Sequence, residues 1–138
     1  MKRIAPLFVF ALAGCTAEAQ QPPAQPLTPQ LSVVRVIDGD TLVVDGETVR
    51  IANIDTAEMP PRSKCLAEQR LAVAAKVGLE DVLEIGWGVS VTLDRQGRDQ
   101  YGRTVAKVRL LDGTDVGDEM VKRGLAEPWI GRRMDWCV

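Results

Sequence analysis

The chain has 138 residues, of which 46% are apolar, with 17 Lys and Arg against 19 Asp and Glu for a net charge of −2. That suffices for one domain with a core, and it is too little positive charge for a tight, sequence-blind grip on nucleic acid across a whole surface. There is no histidine, which excludes a Ser-His-Asp triad, a Cys-His nucleophile, His-ligated zinc and histidine acid–base chemistry; a hydrolytic site here has to use carboxylates, Arg, Lys, Tyr and a metal.

Lys2 and Arg3 precede an apolar run over residues 4–13, too short to span a bilayer as a helix. The run ends in Leu12-Ala13-Gly14-Cys15. This resembles the lipobox of bacterial lipoproteins, in which the cysteine becomes the lipidated first residue of the mature protein. Residues 1–14 are therefore read as a signal peptide and Cys15 as the lipidation site, which implies export to the cell envelope and a membrane anchor. The alternative is an ordinary signal peptide cut near Ala17-Glu18-Ala19, giving a secreted protein. Loss of Lys2 and Arg3 leaves 17 − 2 = 15 basic against 19 acidic residues, net −4. Residues 15–30, rich in Pro, Gln and Ala, bury nothing and read as a linker. The folded domain is placed at 31–138.

Residues 31–37 (LSVVRVI) are β-branched and predict a strand. Asp38-Gly39-Asp40 is turn chemistry, 41–44 a second strand, Asp45-Gly46 a hairpin turn and 48–54 a third strand. Residues 56–63 hold Pro60 and Pro61 and read as a loop. From 66 to 83 the period becomes helical, with Ala67, Leu71, Ala74, Ala75, Gly78 and Val82 as the proposed buried stripe. Residues 89–93 predict a fourth strand, 94–103 a polar loop and 104–111 a fifth strand. Asp115 can cap a short helix carrying Val116, Met120 and Val121, which Gly124 can end. The order is α+β. A five-stranded, partly open barrel with a helix between strands three and four and a short C-terminal helix is the OB-fold plan.

The unusual polar residues fall in three stretches: Asp38-Gly39-Asp40-Thr41, then Arg50 through Asp55-Thr56-Ala57-Glu58, then Asp99-Gln100-Tyr101-Gly102-Arg103. Singly, each has a plain reading as a turn, a solvated strand charge or a loop acid. An EF-hand reading of Asp-Gly-Asp fails, because the later ligand spacing and closing Glu are missing. Arg50 and Asp55 lie five apart, so a straight strand would put them on opposite faces. They can share a site only if the strand ends or bends near Ile54.

Together, in order and at comparable spacing, the three stretches resemble the staphylococcal nuclease family, over about residues 33–129. The resemblance implies the OB-fold and a calcium-dependent nuclease that cleaves phosphodiesters of DNA or RNA and leaves 3′-phosphates. By the same resemblance Asp40 and Asp55 are calcium carboxylates, and Thr56 supplies a backbone carbonyl. Glu58 is the general base, Arg50 and Arg103 hold the scissile phosphate, and Tyr101 contacts a neighbouring phosphate. The chemistry is coherent: calcium takes oxygen ligands, and arginine's planar fork holds two phosphate oxygens and keeps its charge.

Ala57 stands where the family usually has proline, and Gln100 replaces a lysine. The long C-terminal helix has no counterpart beyond Trp129, so base binding is expected to be weaker or different; Trp129 reads either as an edge-of-core residue or as a substitute base contact. The rival reading is a catalytically silent OB-fold module of the envelope, against which all of the acids and arginines of the pattern are retained. A monomer is expected. With Cys15 committed to lipid, Cys65 and Cys137 remain as an even pair in an oxidising compartment and are expected to form a disulfide, the alternative being two free thiols.

Overall fold

A computed structural model describes residues 31–85 and 88–138; residues 1–30, on which the signal-peptide, Cys15-lipidation and linker readings fall, lie outside the described residues. In chain order the elements are β1 (Val34–Asp38), β2 (Thr41–Val44), β3 (Glu47–Ile51), β4 (Ile54–Asp55), α1 (Leu66–Val82), β5 (Val91–Arg98), β6 (Thr104–Leu110), α2 (Val116–Lys122) and β7 (Glu127–Pro128). Five strands form one sheet in the order β1-β2-β3-β6-β5, and β4 pairs with β7 separately. Only β3 and β6 run parallel; the other pairs are antiparallel. The sheet edges approach each other at one point, where the Ser32 N–H donates to Val89 O at 2.7 Å. This is a partly open five-stranded arrangement with α1 inserted after the third strand, the α+β OB-type plan that the sequence predicts.

The core lies between the concave sheet and the two helices. Leu42, Val49, Ile51, Leu79, Val108 and Met120 are fully buried there, each large one contributing about 1.5–3 kcal/mol. Helix α1 is N-capped by Cys65 and α2 by Asp115, whose carboxylate accepts from the Asp118 N–H at 3.1 Å.

Three local expectations need correction. The third strand stops at Ile51 rather than running to Ile54. Asn53 turns aside there: its amide donates to Asp115 Oδ1 and Asp118 Oδ1 at the α2 cap, and its carbonyl accepts from Trp129 N. The fourth strand extends to Arg98 although its last residues are polar and exposed. β6 offers a free edge, and backbone pairing along that edge needs no apolar side chain. The buried face of α1 is Glu68, Ala72, Ala75, Gly78, Leu79 and Val82, whereas Ala67, Leu71 and Ala74 are exposed. An apolar-only stripe missed this because one position on the true face, Glu68, is charged.

The small face of α1 lets the sheet come close. A Cβ on Gly39 would sit 2.6 Å from Ala75 Cβ and 2.9 Å from Thr56 Oγ1. The Asp38–Asp40 turn is thus pressed between the helix and Thr56, where only glycine fits.

Candidate active site

The sheet register builds the first part. Thr41 pairs with Arg50 across β2 and β3, so Asp40, one residue earlier in the hairpin turn, hangs over the Arg50 side chain. Arg50 Nη2 lies 3.2 Å from Asp40 Oδ2 and 3.8 Å from Asp55 Oδ1, and Nη1 donates to Ile51 O at 2.7 Å. The break at residues 52–53 turns the chain so that Asp55 returns to the Arg50 side. Asp40 is buried, and burial pushes its pKa up; Arg50 pulls the other way and the neighbouring Asp38 charge adds to the rise. The Thr41 hydroxyl donates to Asp40 Oδ1 at 2.8 Å.

Asp55 has no solvent exposure. Its Oδ2 accepts from the Met134 N–H at 2.9 Å and from Trp136 Nε1 at 3.2 Å. Its Oδ1 has no hydrogen-bond donor. A buried carboxylate oxygen without a donor is costly, and this one faces the same guanidinium as Asp40 Oδ2. Two hard oxygens within 3.2 and 3.8 Å of one Arg50 nitrogen, with Thr56 buried beside the same turn, are the donor type that a hard cation such as calcium takes. Cys65, Glu68 and Cys137 also bring potential ligand atoms within 4.8 Å of one another. That trio is not a metal site, because its two sulfurs are joined in a disulfide, with Cα atoms 6.0 Å apart.

Glu58 sits at the cleft wall. Its Oε2 accepts from Arg62 Nε at 2.7 Å, and its Oε1 pairs with Arg133 Nη1. The loop that carries it is held from below by buried Glu68, whose carboxylate accepts the Glu58 N–H at 3.3 Å and the Lys64 N–H at 2.6 Å. Ala57, at the family's proline position, is buried, so the loop is packed there without the ring.

Arg103 enters from the turn before β6. Its Nε donates to Asp99 Oδ2 at 2.7 Å and its Nη1 to Thr41 Oγ1 at 3.2 Å, which places it beside the Asp40 turn. Burial alone would raise the Asp99 pKa, but the Arg103 side chain and the N–H groups of Arg103 and Tyr101 hold it below the usual carboxylate value. Tyr101 is exposed, 5.5 Å from the Arg103 guanidinium. Trp129 lies outside the core, its ring 4.9 Å from the Arg50 guanidinium.

Arg50, Glu58, Tyr101, Arg103 and Trp129 all line one cleft of about 670 Å³, with Asp40 and Asp55 packed against Arg50. Of the residues that the sequence analysis put in the site, Arg50, Glu58, Tyr101 and Arg103 line this cleft, Asp40 and Asp55 lie against Arg50, and Thr56 is buried next to Gly39 of the Asp40 turn. Arg62, Glu68, Arg133 and Trp136 were missed. Glu68 left one usable trace, an acid at helical spacing with Ala72 and Ala75. Arg62 is an ordinary loop cation four residues from Glu58, and Arg133 and Trp136 are ordinary residues whose placement depends on the tail's path.

A family model described as "Staphylococcal nuclease homologue" matches residues 48–133. The chain is 32% identical over 102 residues to "Endonuclease YhcR" of Bacillus subtilis (strain 168), covering 68% of this chain and 8% of that protein. It is 36% identical over 105 residues to a "Thermonuclease" of Staphylococcus intermedius, covering 72% of this chain and 56% of the relative. It is also 32% identical over 107 residues to "Succinoglycan biosynthesis protein ExoI" of Rhizobium meliloti (strain 1021), covering 75% and 52%. The chain thus spans about half the length of two of these relatives and a small part of the third. With the fold in agreement and the matched segment holding the second and third motif stretches, the chain belongs to the staphylococcal nuclease homologue family.

Proposed function

We propose that this chain is a calcium-dependent nuclease that hydrolyses phosphodiester bonds of DNA or RNA and leaves 3′-phosphate ends. One observation carries the reading: Arg50, Arg103 and Glu58 face a single cleft, and Asp40 and Asp55 converge on Arg50 at its floor. Asp40, Asp55 and the Thr56 carbonyl would hold the ion. Bound calcium supplies positive charge for a phosphate oxygen and makes water more acidic.

The protein's own groups do the rest. Arg50 and Arg103 grip the phosphate oxygens and stabilise the extra negative charge that builds as water adds to phosphorus, each contact contributing roughly 10²–10³-fold in rate. Arg50 is pre-set for this by the Trp129 ring and the Ile51 carbonyl, and Arg103 by Asp99 and Thr41. Glu58 takes the proton of the attacking water. The bond from phosphorus to the 5′-oxygen breaks, that oxygen takes a proton from solvent water, Glu58 returns its own proton to solvent, and the phosphate stays on the 3′ side. In the same reading residues 1–14 export the chain and Cys15 carries lipid, so a monomeric enzyme works at the envelope; the acyl mass on the native N-terminus tests that part.

The test is incubation of the full chain with single-stranded DNA and RNA, with calcium or with excess chelator. Cutting to 3′-phosphates with calcium alone is expected. Equal cutting in chelator, or none with any divalent ion, overturns the proposal and favours a silent binding module.

A further inference from the structure

The segment after β7 is built into the cleft. It leaves β7 beside Asp55 and turns at Gly131, whose φ of 83° suits glycine. It then places the Met134 N–H and Trp136 Nε1 on Asp55 Oδ2 and ends in the bridge from Cys137 to Cys65 at the start of α1. Between these fastenings it presents Arg133, whose Nη1 pairs with Glu58 Oε1 and lies 4.0 Å from Asp55 Oδ1. The Arg133 side chain is still 45% exposed and lines the cleft.

This leaves both Glu58 oxygens occupied by guanidinium groups. Each oxygen keeps a further lone pair, and a guanidinium that leaves Glu58 for another anion opens that carboxylate wider to water. Arg62 has a second carboxylate partner, Asp38, at 3.5 Å. The second acid near Arg133 is Asp55, the carboxylate best placed to take a cation. A dication at Asp55 would repel Arg133, and a phosphate in the cleft would attract it.

We propose that Arg133 is a third phosphate-contacting arginine of this site, presented by a tail that the Cys65–Cys137 bridge holds in place, and that it passes from Glu58 to the substrate phosphate when substrate enters. The proposal rests on the nuclease reading above. It makes Arg133 a substrate contact and Cys137 a positioning residue.

Binding of a single-stranded oligothymidylate is measured by fluorescence anisotropy in chelator over a range of salt, alongside calcium-dependent cleavage and thermal melting. A phosphate contact on a single strand adds about 0.7 to the slope of log affinity against log salt. Arg133→Gln is expected to lower that slope by about 0.7, weaken binding about three- to tenfold, and raise KM more than it lowers kcat, with its melting temperature close to wild type. Arg133→Lys, which keeps the charge, is expected to restore most of the slope. Cys137→Ser is expected to lower the slope equally, and the double variant to lose nothing further. A wild-type slope in either Arg133→Gln or Cys137→Ser, in a wild-type chain that does cut nucleic acid, overturns the proposal alone. A wild-type chain that neither binds nor cuts overturns it together with the nuclease reading.

Discussion

Strand β3 carries an ion-pair cluster at each end, and the two are built in opposite ways. At its start, Glu47 Oε2 meets Arg95 Nη2 at 2.6 Å, and Oε1 accepts from the Thr104 hydroxyl at 2.6 Å. These bonds, led by the one from Arg95, pull the Glu47 pKa down to about 2. The cluster is open to solvent, both carboxylate oxygens are matched, and it ties β3 to β5 and β6. Three residues later Arg50 is buried and faces two buried carboxylates, one of which keeps an oxygen without a donor. Here burial pushes Asp40 up instead of down. The same residue types make a clasp where charges match in water. Inside the protein they leave two carboxylates facing one guanidinium, with one carboxylate oxygen unmatched.

The largest expected effect separates the two clusters by their response to calcium. At about 100 times its dissociation constant, calcium is expected to stabilise the chain by about 2.7 kcal/mol in thermal melts. Asp55→Asn should lose most of that gain and Glu47→Gln none of it. An unchanged calcium response in Asp55→Asn would break the comparison, because the donor-free oxygen would then have no bearing on the metal.

Next come the arginines. Arg50→Lys and Arg103→Lys keep the charge and lose the planar fork, so kcat/KM is expected to fall about tenfold or more with the fold intact. The matched Arg95→Lys change at the clasp should leave kcat/KM within about twofold, since that arginine only ties strands. Wild-type rates in both cleft variants would show that neither guanidinium grips the substrate phosphate.

The smallest effect is at the clasp itself. Glu47→Gln is expected to cost about 0.5–1 kcal/mol of stability at neutral pH, the range for a partly solvated pair. The folded Glu47 pKa of about 2 lies below its ordinary value of 4.5. Its contribution is therefore present above pH 4.5 and is lost as pH falls through about 2. Denaturant melts of wild type and Glu47→Gln should converge across that window. A gap that persists below pH 2 would mean the contribution is packing and not charge.

Much of the site could be read from the chain because its parts are local motifs. Asp38-Gly39-Asp40 has turn chemistry, and Asp99-Gln100-Tyr101-Gly102-Arg103 closes on itself through bonds that Tyr101 and Arg103 donate to Asp99 Oδ1 and Oδ2. The requirement that the chain bend between Arg50 and Asp55 also followed from strand geometry alone. Beyond Arg62 and Glu68, which lie close to Glu58 in the chain, the contacts that escaped are those between distant segments. Met134, Trp136 and Arg133 reach Asp55 and Glu58 across more than seventy residues, and no spacing rule connects them.

By itself, then, the sequence determined the alternation of strands and helices, the three polar stretches and the absence of histidine chemistry, since these depend on side-chain type and short-range period. Only the tertiary structure decided which face of α1 is buried, where β3 ends, how far β5 extends and which groups lie against Glu58. Those choices depend on what each element finds opposite it. A buried glutamate on α1 is stable because the Glu58 and Lys64 N–H groups point at it. A polar edge strand persists because β6 supplies its backbone partners. Asp55 is held in a water-free position because a tail from the far end of the domain provides two donors to one of its oxygens and leaves the other without any.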